Sequence, residues 1–455
     1  PPPRKSPQRQ TAAEAMPPLP LPAVPLRRSE PKAEPTAPIM IAKLDYGTTQ
    51  DWNTDPGDAD NLTRHCRYQL GLWYGWKPLA MTELVALHAN DQRCKIPVLY
   101  MSGHEAFEFT QEQRVAMRQY VLDGGMLFGD ACCGETAFSI SFRTETLKMF
   151  PNRAFEVLEL DHPLYRAYYP YETVHFIHFE GETRQESVGP PQLLGMTIGC
   201  RTAIVLTPWD MSCGWDEHIH DRGDRLLPGD AVRLGINLIS YAAALRPLGE
   251  SQSVTREIIA TPERPRQQLF FAQIRHQGDW NPDPNSVIQL FRDVALNSSL
   301  AIEFSLKQVD PIEAQLAPHP FLYLTGHRDP KFSDTDLAAL RRHLESGGFI
   351  YINNCCGRAA FDLACREAIA KMFPDQPMAA LPADHALRNA FFKLNEGHDR
   401  LTGAARPIQL EGVTLKNRAV LVYSPNDAVT QLKQVSDPYG NGYDADTCRA
   451  INLNI

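Results

Sequence analysis

Two pairs of adjacent cysteines, each followed by glycine, carry the strongest chemical signal in this sequence: Cys132-Cys133-Gly134 and Cys355-Cys356-Gly357. Each CCG follows a short apolar run and precedes a segment with helical spacing, which predicts a thiol at a strand-to-helix turn. A helix N-terminus at that point stabilises negative charge and lowers a thiol's pKa. Cys132 and Cys355 are the candidate nucleophiles, and the base that such a thiol needs is sought among His104 and His162, matched by His327 and His385. Amide nitrogens of the turn, with those after Gly103 and Gly326, are candidates for an oxyanion hole. The same residues also have an architectural reading, in which small thiols pack the turn and the Asp-His pairs at 161–162 and 384–385 cap helices.

The second recurrent motif is acidic: QDWNTDP at 50–56 and GDWNPDP at 278–284. Its spacing superficially matches a D-x-N-x-D calcium loop, but Pro56 and Pro284 stand where that loop needs glycine, and Leu62 stands where it needs a bidentate glutamate. A turn capping the following helix is the expectation. No metal site and no cofactor are expected: CxxC pairs of zinc type are absent, and sequence adjacency makes joint ligation by two sulfurs awkward. His218 and His220 near Cys213 form a local cluster in the first half only.

These motifs recur because the chain is duplicated. Leu99–Ala167 aligns without a gap to Leu322–Ala390 at an offset of 223 residues, pairing LYMSGH with LYLTGH, Gly124-Gly125 with Gly347-Gly348, CCG with CCG and KMFP with KMFP. With small insertions the match extends from the DWNxDP motifs to TPWD (207–210) against SPND (424–427), and to GINL (235–238) against AINL (450–453).

Four apolar runs in each copy read as strands buried on both faces: 39–44, 96–101, 126–129 and 203–207, then 269–274, 320–324, 349–352 and 419–423. Between the second and third of each set, Gln111–Leu122 and Thr335–Leu344 have helical spacing and end at Gly-Gly pairs suited to a left-handed cap. Strand, helix, strand implies a right-handed parallel crossover, so each copy is expected to be an α/β domain with a mostly parallel sheet. Ligands of such sheets bind beyond the carboxyl ends of the strands. The expected crevice of the first copy gathers Asp51, Trp52, Asn53, Asp55, Gly103, Gly134 and Asp210, and that of the second Asp279, Trp280, Asn281, Asp283, Gly326, Gly357 and Asp427.

The domain reading is a leader at 1–38, a first repeat at 39–245, a linker at 246–266 and a second repeat at 267–455. The leader holds twelve prolines and no apolar period, which favours an extended tether. A formal charge of −9 opposes a broad nucleic-acid footprint. No run approaches the roughly 18 apolar residues of a membrane span. The chain starts at Pro1 rather than Met, so a removed signal or anchor is expected upstream.

Through DWNxDP, the Gly-His turn, the GG-strand-CCG segment, the Asp-His stretch and SPxD, both halves resemble the bacterial family called domain of unknown function 4159. At one remove that family is similar to the class I glutamine amidotransferase superfamily, which implies a flavodoxin-like three-layer fold. In that superfamily a cysteine sits in a G-x-C-x-G elbow, of which Cys132-x-Gly134 and Cys355-x-Gly357 keep the second half; Asp130 and Asn353 replace the first glycine, and no His-x-Glu is evident. Members resembling the family accompany MoxR-type ATPase and von Willebrand-like systems, which implies protein partners and a periplasmic or cell-surface location. The expectation is a non-catalytic exported scaffold of two domains, with pseudo-two-fold packing or an oligomer. The rival is a cysteine-dependent hydrolase.

Overall fold

The computed structural model describes residues 37–455 except 48, 182, 219–221, 254–270, 298–305 and 436. Nearly all of the leader, His220 and the latter part of the expected linker lie outside the described residues.

The first sheet has the order β2-β1-β3-β4-β9-β8-β5. Its parallel centre is β1 (Ile39–Asp45), β2 (Gly75–Ala80), β3 (Val98–Gly103), β4 (Met126–Ala131) and β9 (Arg201–Thr207); β8 (Leu194–Ile198) and the two-residue β5 (Glu156–Val157) run antiparallel at one edge. Every residue of β3, β4 and β9 is buried, which is why these runs are continuously rather than alternately apolar. Leu99, Met101 and Leu127 face one layer of core, while Tyr100, Phe128 and Val205 face the other with Trp215. A smaller antiparallel hairpin, β6 (Val174–Glu180) with β7 (Thr183–Gly189), pairs with β10 (Arg225–Leu226) outside the main sheet.

The helices follow from capping and spacing. After α1 (Asp58–Leu70) and α2 (Met81–Ala89), α3 (Gln111–Leu122) opens on a capping box between Thr110 and Gln113. It closes before Gly124, whose φ of 103° suits glycine. A Cβ on Gly125 would meet the Tyr120 ring at 2.2 Å. The sequence places this helix residue for residue. Beyond it lie α4 (Thr136–Met149), α5 (Ser212–Trp215) and α6 (Pro228–Ser253). Residues 246–253, expected to begin a linker, complete α6, because Leu245 and Leu248 continue its buried face.

The second copy repeats the sheet as β12-β11-β13-β14-β19-β18-β15, built on β11 (Phe271–Ile274), β12 (Leu306–Val309), β13 (Phe321–Gly326), β14 (Phe349–Asn354) and β19 (Arg418–Ser424), with β15 (Ala379–Ala380) and β18 (Glu411–Leu415) antiparallel. Its satellite hairpin is reduced to β16 (Glu396–His398) and β17 (Ala405–Pro407). Its helices are α7 (Pro284–Asn297), α8 (Glu313–Leu316), α9 (Asp334–Glu345), α10 (Ala359–Met372) and α11 (Ala445–Asn454).

One alignment changes register. Asn237 accepts from the amides of Tyr168 and Tyr169, and Asn454 accepts from those of Phe391 and Phe392. Asn237 therefore corresponds to Asn454, not to Asn452 as the GINL and AINL match suggests. No helix among the described residues is long and apolar enough to cross a membrane.

The copies pack head to tail rather than about a two-fold. The β8–β9 turn of the first copy, at the bottom of its sheet, carries Cys200 to within 3.8 Å of Cys355 at the top of the second sheet. Tyr241 on α6 stacks on Tyr439 at 5.4 Å, and Glu156 pairs with Arg328. A two-fold would bring like surfaces together; here the tail of one copy fills the crevice of the next.

Candidate functional site

In both copies the elbow is the second cysteine of the pair. Cys133 and Cys356 each have φ 55°, a left-handed conformation that costs a residue with a Cβ. A buried carboxylate holds each one there. Asp210 accepts from the amides of Cys133 and Cys213, and Asp427 from those of Cys356, Val429 and Thr430. Gly134 and Gly357 also have positive φ and admit Asp224 and Asn441 against the turn. The same bracing in both copies makes Asp210 and Asp427 part of the elbow's architecture.

The first cysteine of each pair points inward. Cys132 is wholly buried, 3.3 Å from Asp55 Oδ2 and 3.9 Å from Cys213 Sγ. Its thiol is pushed up by the hydrogen bond with Cys133 and by burial, so the sequence's preferred nucleophile is a protonated, enclosed group. Cys133 is half-buried and faces His104. The Cys133 side chain is the largest influence on His104; it and Asp51 outweigh burial and raise the imidazole to about 9. Asp51 accepts from the amides of His104 and Glu105 at 2.9 Å and lies 3.1 Å from His104 Nδ1. That engagement leaves Nε2 for the thiol. A Cβ on Gly103 would meet Tyr46 Oη at 2.2 Å and Asp51 Oδ2 at 2.5 Å, so glycine permits the close approach of Asp51 to this strand end.

Thus Asp51, Gly103, Gly134 and Asp210 converge as the crevice reading expects, with Asp55 beneath the thiols. Trp52 and Asn53 are half-buried in a 3-10 turn of the same loop. His162 and His385 lie elsewhere: each caps a short turn by accepting from the amide of Leu164 or Leu387. Burial lowers His162 to about 3, which keeps it neutral. Of the amides proposed for an oxyanion hole, those of Cys133 and His104 are occupied, donating to Asp210 and Asp51. The missed residues, Cys133 and Cys356, carried one available signal: each directly precedes its glycine.

The second copy holds the same three groups in a closed setting. Asp279 accepts from the amides of His327 and Arg328, and its Oδ2 lies 2.8 Å from His327 Nδ1. Gly326 carries His327 past Phe361 and His276, and Trp280 and Asn281 are held by Gln273. Asp283 pairs with buried Lys433 instead of facing thiols. Burial lowers His327, but Asp279 reverses this and, with Cys356, raises it to about 9.

Two groups of side chains bring metal-ligating atoms within 4.8 Å of one another at the elbows: Cys132, Cys133, Cys213 and Asp210 in the first copy, and Cys200, Cys355, Cys356 and His327 in the second. Adjacency is expected to make joint ligation by two sulfurs awkward; the elbow's positive φ brings Cys355 Sγ and Cys356 Sγ to 3.9 Å. A third group joins His218 to Asp55 and Asp216.

A family model described as a domain of unknown function (DUF4159) matches residues 40–243 and again 270–447. No curated protein matches the sequence. The chain belongs to this family and contains its domain twice.

Proposed function

We propose that this tandem member of the family is a cysteine-dependent hydrolase or acyl transferase whose working crevice is that of the first repeat. The observation that carries the reading is Cys133, half-buried on a left-handed elbow after β4 and the largest electrostatic influence on His104, a histidine that Asp51 orients. Cysteine, base and orienting acid come from three strand ends, the arrangement an activated thiol requires. In this reading Cys133 Sγ attacks an ester or amide carbonyl, and the resulting oxyanion collapses to a thioester. His104 gives its proton to the departing group, then takes one from the water that hydrolyses the thioester. A cavity of about 500 Å³ opens beside Asp51, lined by Tyr46, Thr49, Glu105 and Phe107 among others, and would receive part of the substrate.

The fold suits the class I glutamine amidotransferase-like superfamily that the sequence resembles, with the difference that the base follows β3 instead of belonging to a His-x-Glu pair. The test is a chromogenic acetyl ester presented to the full chain. A burst of one product per chain, with acetyl trapped on Cys133 and lost in Cys133→Ser, supports the reading; acylation elsewhere, or none, rejects it.

One observation favours a second reading, a binding or scaffolding protein: the second crevice is filled by the first copy, so half of the molecule uses its strand ends for packing.

A further inference from the structure

Each elbow has a third sulfur beside its two adjacent cysteines, and the two third sulfurs come from different places. In the first copy it is Cys213, on α5. The second copy has Thr430 at that position, with Oγ1 3.6 Å from Cys355 Sγ. Its third thiol is instead supplied by the other repeat, as Cys200 at the tip of the β8–β9 turn.

We propose that Cys200, Cys355, Cys356 and His327 bind one soft divalent ion, zinc by the chemistry of the donor set, in a closed structural site that fastens the first repeat into the second. Three features carry this. All four residues are buried, and their donor atoms lie within 4.8 Å of one another. Sulfur separations of 3.8 and 3.9 Å match the spacing of about 3.8 Å that two thiolates take around a tetrahedral centre with bonds of about 2.3 Å. Finally, His327 has a side chain only 6% exposed, its Nδ1 is held by Asp279, and its Nε2 has no hydrogen-bond partner among the described residues.

A buried imidazole nitrogen left without a partner is costly. A carboxylate on the opposite nitrogen is the outer-shell arrangement that aims a histidine at a metal and fixes its tautomer. Three thiolates and one neutral imidazole fill a tetrahedral shell with no open position, so the ion's role here is structural rather than catalytic. A recess of about 190 Å³ at the junction, lined by Cys200, His327, Arg328 and Arg358 among others, gives the ion an entry path. Binding releases the thiol protons. The site is independent of the reading for Cys133, because it uses none of that crevice's residues.

The test uses the full chain, purified without a metal-affinity tag and analysed for metal by mass spectrometry. About one zinc per chain is expected, falling to about zero in Cys200→Ser and unchanged in Cys213→Ser. Titration of the metal-free protein with Co2+ should give the intense visible bands of a tetrahedral sulfur-rich site. Because Cys200→Ser can also unfold the junction, the wild-type protein is alkylated with and without a strong chelator. Protection of Cys200, Cys355 and Cys356 by zinc, and labelling of all three once it is stripped, supports the site. Equal labelling in both states, a Cys200–Cys355 disulfide in the isolated protein, or zinc retained in folded Cys200→Ser overturns it.

Discussion

The two crevices start from the same elbow and differ in charge and closure. In the first, Asp55 faces thiols, Asp130 and Asp210 sit together in the core, and burial raises both carboxyls. In the second, the corresponding positions carry Asp283, Asn353 and Asp427, and buried cations accompany them. Lys433 pairs with Asp283, and Arg400 lies 3.7 Å from Asp427 and holds its carboxyl below the usual range despite burial. His104 is 31% exposed, whereas its copy His327 is enclosed beneath the first repeat. Duplication thus preserved the geometry of thiol, histidine and acid while one copy kept access to solvent and the other became a seat for its neighbour.

The largest expected effect breaks the comparison at its buried ion pairs. The first copy buries Lys43 against Asp58, with Tyr100 donating to the same carboxylate; the second has Gln273 and Ser286 at those places and buries Lys433 with Asp283 instead. Lys43→Met alone leaves Asp58 uncompensated and should cost about 3–5 kcal/mol of stability in urea unfolding. The paired change Lys43→Gln with Asp58→Ser, which installs the second copy's residues, should recover most of that loss. Failure of the pair to recover any would show that the two cores are not interchangeable.

Next in size is reactivity. His104→Ala should slow alkylation of Cys133 by roughly 100-fold or more, whereas His327→Ala should leave Cys133 unaffected. The pH dependence sharpens this. His104 is raised to about 9, so it stays an imidazolium through neutral pH. The stability contributed by the charged pair is complete below the unfolded histidine's pKa of about 6.5 and is lost as pH rises through about 9. Acyl transfer from poor leaving groups should decline over that same alkaline limb, measured as initial rate against pH; a rate still rising above pH 9 would exclude His104 as the acid.

The smallest effect concerns Asp130, whose neighbour Asp210 and deep burial favour the neutral acid. The second copy has an amide at this position, Asn353 donating to Asp427. An acid with a raised folded pKa stabilises most at low pH and loses that contribution as pH rises. Asp130→Asn should therefore gain on the wild type between pH 5 and 9 in urea unfolding, and a variant that loses ground with rising pH would contradict a neutral Asp130.

Much of the fold is legible in the sequence because buried parallel strands and a capped helix leave strong local patterns. The runs around Leu99, Leu127 and Leu206, and Gln111–Leu122 with its glycine cap, are of this kind. Short edge strands such as Glu156–Val157 carry two residues each and leave no period to read. The convergence of Asp51, Gly103 and Asp210 follows from the rule that loops meet at carboxyl ends. The choice between Cys132 and Cys133 does not, because it rests on one backbone dihedral set by Asp210. Cys200 is illegible for a different reason: its role depends on how the copies pack, and the second copy carries Asn417 at the matching position.

On the proposal for Cys133, one elbow thiol is reactive and its duplicate, Cys356, is inert. The direct measurement is alkylation of the native full chain by a small neutral electrophile from pH 6 to 9, with the modified cysteines mapped by mass spectrometry. Cys133 is expected to label first and already at neutral pH, while Cys132 reacts only after denaturation and Cys356 only after denaturation or removal of the metal. Labelling of Cys356 as fast as Cys133, or of Cys133 no faster than an ordinary exposed thiol, would contradict it.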